Sequence, residues 1–147
     1  MSAKFNVMKP ILKDILAIIL GLILGSITNM AILMISNNII PLPAGADNTT
    51  AEGLKATIHL FEPKHFIFPF LAHTIGTFIG AYICARIAAH KIVLAMFIGL
   101  FFLAGGIYMV VILPSPIWFT LVDLLGAYLP VAYFAGKIAS DNKDEKS

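Results

Sequence analysis

Asn29, His73 and Asp123 are polar residues of three chemical kinds, each set inside a run of residues that is otherwise apolar. A histidine beside a carboxylate makes an acid/base pair or a strong hydrogen-bonded couple, and an amide both donates and accepts. Counting along the chain, Asn29 lies about seven residues before Ser36, His73 about seven after Phe66 and Asp123 about seven after Pro116; at ~1.5 Å per helical residue all three reach roughly 10 Å depth. Thr77 stands one turn from His73 on the same face, and Gly105 and Gly106 come to a similar level on a further segment, where missing side chains leave room for a ligand, a water or a close helix contact. An ionisable group inside an apolar span costs at least ~2.5–3.5 kcal/mol on insertion scales, which makes it a functional candidate. The candidate ligand-binding set is therefore Asn29, His73, Thr77, Gly106 and Asp123.

A plainer reading accounts for the same residues. A His–Asp–Asn network also clamps helices together, and such contacts between membrane helices average only ~0.6 kcal/mol, so a clamp is easily evolved. For catalysis the pair lacks company. Ser26 and Thr28 are off by a turn or a face, and Cys84 lies two to three turns deeper, so no nucleophile stands beside the histidine and no catalytic residue is assigned. No cofactor motif is present. Asp47, Glu52, His59, Glu62 and His65 form a second group that carries metal-ligand chemistry, but their spacing matches no established site and a solvated loop face explains them better; no metal is expected.

The elements that must position these residues follow from composition. Of 147 residues, 59% are hydrophobic and 12% charged, against about 25% charged in soluble domains. Mean hydropathy is +0.92. Apolar segments at about 11–36, 66–89, 92–113 and 117–139 are each near or above the ~20 residues that cross a hydrocarbon core of ~30 Å. The expected fold is an all-α integral membrane protein, a four-transmembrane-helix bundle forming a single domain over 1–140, followed by a disordered cytoplasmic tail at 141–147. Small residues supply the packing faces: Gly21 and Gly25 in the first span, and Gly76, Gly80, Ala81 and Ala85 in the second, repeat at the four-residue spacing that lets membrane helices approach closely.

The outer loop, 37–65, begins with breakers at Pro41, Pro43 and Gly45. Thr49-Thr50-Ala51-Glu52 then fits a capping box, with Leu54, Ile58 and Phe61 on one helical face, which predicts a short amphipathic helix from about Thr50 to Glu62 on the membrane surface or over the mouth of the bundle. Pro130 predicts a kink in the fourth span. Asp14 and Lys137 fall at the inner ends of the first and fourth spans and are expected to pair.

Charge sets the expected orientation. Lys4, Lys9, Lys13, Arg86, Lys91, Lys137, Lys143 and Lys146 fall on one side and Lys55 and Lys64 on the other, which predicts both termini in the cytoplasm and an extracytoplasmic loop, in a multi-pass protein of a cell membrane, the expected membrane being the bacterial inner membrane. So one-sided a count disfavours a dual-topology small multidrug exporter, whose first-helix glutamate is also missing here. The single cysteine, Cys84, excludes a disulfide framework or a paired-cysteine redox centre, and a net charge of +2 confined to membrane flanks gives no nucleic-acid footprint. The expected partners are membrane lipids, a small amphiphilic ligand and a second copy of the chain. Function at this stage is binding or passage of a lipid-like molecule through an outward-facing polar pocket; a membrane-embedded enzyme using His73 and Asp123 on a lipid-like substrate, and an accessory subunit of a larger complex, are the alternatives.

Overall fold

The computed structural model describes residues 9–144, with side chains through Asp141. Four helical segments of 30, 25, 22 and 25 residues are long and apolar enough to cross a membrane, and the described residues contain no strand. The protein is an all-α membrane bundle. Large apolar side chains cover its outside, among them Ile11 (73% exposed), Ile117 (79%) and Val111 (79%), a surface suited to lipid and not to water.

The first helix, α1 (Pro10–Ile39), opens on a proline, whose missing N–H falls where a helix has no acceptor to offer. It ends at Ile40, which is extended, just before Pro41. A single turn of 3-10 helix (Pro63–Phe66) leads into α3 (Ile67–Ile87); α4 (Lys91–Ile112) stops before Pro114. The fourth segment is broken. α5 (Ile117–Gly126) and α6 (Leu129–Asp144) are separated by Ala127 and Tyr128, because Pro130 has no N–H to give and its ring would strike the carbonyl of Gly126. The expected kink is thus a full interruption. α6 also runs through 141–144, residues expected to lie in a disordered tail; residues 145–147 and 1–8, with Lys4 and Lys146, lie outside the described residues.

α3 is the hub, packing against α1, α4 and α6. Its contact with α1 is backbone on backbone: a Cβ added at Gly80 would stand 2.7 Å from the Gly21 carbonyl oxygen, and one at Gly25 would stand 2.8 Å from that of Gly76. Alanines fill the remaining core, with Ala17, Ala81, Ala85, Ala95, Ala132 and Ala135 all fully buried. A core of such small side chains holds helices by dispersion at close range, the force left when lipid removes the hydrophobic one.

At the end of the bundle that carries the α3–α4 turn, Asp14 does not pair with Lys137, which is exposed. Its Oδ1 accepts from the Ala89 N–H at 2.7 Å and its Oδ2 meets His90 Nδ1 at 2.6 Å. The turn between α3 and α4 leaves free N–H groups at the start of α4, and a carboxylate on the neighbouring helix satisfies them better than a flexible lysine could.

The outer loop folds back over the bundle. α2 (Ala51–Thr57) is capped by Thr50, whose hydroxyl accepts from the Gly53 N–H at 2.9 Å, so the box expected between Thr49 and Glu52 does not form. The helical stretch ends early, followed by a 3-10 turn (Ile58–Leu60) instead of helix to Glu62. Ile58 and Phe66 are buried with Leu113 and Phe119, which seats the loop over the ends of α4 and α5.

Candidate functional site

His73, on the second turn of α3, and Asp123, on α5, meet: Nδ1 lies 2.8 Å from Asp123 Oδ1. The other carboxylate oxygen accepts from the Tyr128 hydroxyl at 3.0 Å, and the Tyr128 ring stacks on the imidazole with centroids 5.7 Å apart and planes 28° apart. Asp123 is 3% exposed, so both of its oxygens are engaged within the protein. Because Nδ1 faces a carboxylate, it carries the hydrogen, and Nε2 has no hydrogen bond among the described residues.

Tyr128 was not among the residues expected at the site. Its only sequence signal was Pro130, which marks a break near residue 128 but not the direction in which the tyrosine turns. Gly106 makes the space for it. A Cβ at residue 106 would stand 2.6 Å from the Tyr128 hydroxyl oxygen, so this glycine serves a close helix contact, whereas a Cβ at Gly105 would meet nothing within 4 Å.

Around this cluster are adjoining cavities. One, of about 290 Å³, is walled by Asn29, His73, Thr77, Gly105, Gly106 and Tyr128, with Phe102 below. Four of the five expected site residues therefore share a cavity. The fifth, Asp123, stands behind His73 and Tyr128 and borders a second cavity of about 170 Å³, which shares His73, Gly106 and Met109 with the first. That cavity reaches outward to Leu54, Ile58 and Phe61 of the loop, and Leu33, Leu54, Phe61 and Pro69 are shared again with a third, of about 350 Å³, bordered by Asn37, Asn48 and His65. The His73 ring is thus a common wall between the inner and middle cavities.

Two residues of the inner cavity wall carry a buried polar atom that has no partner among the described residues. Asn29 Oδ1 and Thr77 Oγ1 are both buried without a hydrogen bond, and Thr77 as a residue is only 1% exposed. Helical threonines usually return their hydroxyl to the carbonyl one turn back, as Thr28 does to Leu24 at 2.8 Å; Thr77 does not. A third such group, Thr74 Oγ1, is not part of the cavity wall.

The outer-loop residues do not converge. Asp47 accepts from the Thr49 hydroxyl and amide, which holds its carboxyl below the usual range, and Glu62 is lowered by Lys64, 2.9 Å away. His65 is structural, with Nδ1 on the Glu62 backbone N–H at 2.9 Å and Nε2 against the Pro41 carbonyl at 3.2 Å. Among the described residues, no three histidine, cysteine, aspartate or glutamate side chains come together as a metal site. Cys84 is buried against the α1–α3 seam, away from His73.

No protein family matches the chain, and comparison with curated proteins and with solved structures finds no match either.

Proposed function

We propose that the protein binds, or passes, a small lipid-like amphiphile in the polar cavity bounded by Asn29, His73, Thr77 and Gly106, with Asp123 fixing the histidine from behind. One observation carries this reading: two residues of the cavity wall, Asn29 and Thr77, each hold a buried oxygen, Oδ1 and Oγ1, with no hydrogen-bond partner among the described residues. Such groups each cost about 1–3 kcal/mol unless something hydrogen-bonds to them, so the cavity is suited to an occupant with a polar head. Adjoining cavities run from the His73 layer to the loop, which supports a path toward the outer face, and the apolar middle cavity suits the occupant's tail.

In this reading the chain is a single membrane domain with the loop extracytoplasmic and both termini in the cytoplasm of a bacterial cell, surrounded by membrane lipid and able to pair with a second copy. The orientation rests on the eight-to-two distribution of lysine and arginine. A second reading, a membrane-embedded enzyme, is supported by the 2.8 Å His73–Asp123 contact, the arrangement that orients a general base. It lacks a nucleophile in contact with the ring, since the Thr77 hydroxyl shares the cavity but bonds to nothing. A role as an accessory subunit has no observation of its own in favour.

The test uses Gly105. A Cβ there meets nothing within 4 Å and the residue lines the cavity, so Gly105→Leu is expected to take up cavity space with little strain on the fold. Mass spectrometry of organic extracts from the purified wild type and Gly105→Leu should show a small amphiphile enriched only in the wild type, with equal unfolding temperatures. Identical extracts from two equally stable proteins would overturn the proposal.

A further inference from the structure

Resting on the cavity reading above, we infer that the head group is neutral and bears a hydroxyl, and that it arrives sideways from the bilayer between α1 and α4.

The lateral opening comes from how these two helices touch. Toward the inner end they meet through glycine: a Cβ at Gly21 would lie 3.2 Å from the Ile98 side chain and one at Gly25 would lie 2.9 Å from the Phe102 ring. One turn further out α1 presents Asn29 and α4 presents Gly105, and at Gly105 there is open space. Phe102 therefore floors a gap that starts where the helix contact stops. Tyr108, 65% exposed, borders the same cavity and stands at its edge, so the gap leads to the lipid-facing surface.

The head-group chemistry comes from what the cavity offers and what it withholds. Among the described residues, no lysine or arginine borders it, so an anionic head would find only His73 to balance it. The one nearby carboxylate has both oxygens taken, by His73 and by Tyr128, and is not part of this cavity's wall, so a cationic head would have no free counter-charge. A charge left unbalanced at this depth costs far more than a hydrogen bond returns. What remains on the wall residues is the Thr77 hydroxyl and the Asn29 amide, whose oxygens are buried and meet an occupant by rotation of those side chains, and His73 Nε2, groups that among them both donate and accept. A hydroxyl does both at once: it accepts from Thr77 while donating to Asn29 or His73. At about 290 Å³ the cavity is at the small end of ligand sites, which run on the order of 300–1,000 Å³, so it suits a compact head and not a sugar or a phosphodiester.

Thr77 makes the inference testable apart from folding, because its hydroxyl bonds to nothing in the protein. Thr77→Val keeps the shape and removes an unpaired buried group, so it should fold at least as stably as the wild type; Thr77→Ser keeps the hydroxyl. Full-length protein in nanodiscs would be photolabelled with three diazirine probes of equal chain length, ending in a primary alcohol, a carboxylate and a trimethylammonium group. The alcohol should label peptides containing Phe102 and Tyr108, compete with unlabelled alcohol, lose roughly tenfold in apparent affinity in Thr77→Val and recover in Thr77→Ser. Equal labelling by a charged probe, or undiminished alcohol labelling in Thr77→Val, would overturn the head-group assignment. If charged probes label these peptides and Gly105→Leu abolishes it, the cavity reading survives without the hydroxyl; if no probe labels them, both fall.

Discussion

The Tyr128 hydroxyl fills the notch left by Gly106: a Cβ at residue 106 would lie 2.6 Å from the phenol oxygen, which donates to Asp123 Oδ2 at 3.0 Å. α4 thus controls, through an absent side chain, a hydrogen bond between α5 and the break that follows it. Gly106→Ala should push the ring away and break that bond; Tyr128→Phe should break it without a clash. Each leaves a carboxylate oxygen of a nearly buried aspartate unpaired, at a cost of about 1–3 kcal/mol. Because both act on one bond, the double variant should be less destabilised than the two losses added together. Strict additivity in thermal unfolding would show that the notch and the hydrogen bond are independent.

Glycines elsewhere in the bundle should divide into two groups by the same test. At Gly25 and Gly80 the obstructing atoms include a backbone carbonyl oxygen on the facing helix, which no rotamer change can move. Gly25→Leu and Gly80→Leu should prevent the α1–α3 contact from forming, and even Gly80→Ala should cost about 1–3 kcal/mol or more. Gly105→Ala, with nothing within 4 Å, should be neutral or stabilising by about 0.5–1 kcal/mol. Unfolding temperatures in one detergent compare all four, and equal stability of Gly80→Ala and Gly105→Ala would sink the close-packing account.

Depth counting placed His73 and Asp123 in one layer and the glycine pattern identified the α1–α3 seam, because both depend on a rise and a period that all α-helices share. What could not be read was anything decided by a break in that period. Tyr128 reaches Asp123 only because the chain leaves the helix at Ala127 and resumes at Leu129, an event the Pro130 signal located but did not resolve into a direction. Asp14 was matched to Lys137 by charge and level; the unpaired N–H groups at the α3–α4 turn are the stronger attraction, and they carry no letter in the sequence. The cap of α2 slipped by one residue for a similar reason: Thr49 is committed to Asp47, which leaves Thr50 to serve the helix.

The proposed orientation predicts which positions a membrane-impermeant thiol reagent reaches. In a Cys84→Ala background, a cysteine replacing Asp47 in the outer loop should be modified in intact cells. A cysteine replacing Asp141, at the far end of α6, should react only after permeabilisation. Both positions lie outside the span cores; replacing Asp47 gives up its bonds to Thr49 within the loop but leaves the helix seams untouched. The reverse pattern would invert the bundle and, with it, the proposal that the cavities open toward the outer face.

The His73–Asp123 pair is where clamp and site give different results. For a clamp, His73→Asn and Asp123→Asn should each lower thermal stability, their double-mutant cycle should show coupling near the ~0.6 kcal/mol average for membrane helices and below its ~1.7 maximum, and ligand content should fall only as far as folding does. For a site, Asp123→Asn keeps the outline of the side chain and can still bond His73 and Tyr128, so the fold should stay nearly intact. Removing the charge, however, frees the ring from the one partner that fixes its hydrogen on Nδ1, and Nε2 no longer presents a constant face to the cavity. Retention of the co-purifying amphiphile should then drop well beyond any loss of stability, and Thr77→Val, which leaves the pair untouched, should lower it too. Equal ligand content in wild type and Asp123→Asn, together with a clear fall in unfolding temperature, would leave the pair as a clamp between α3 and α5.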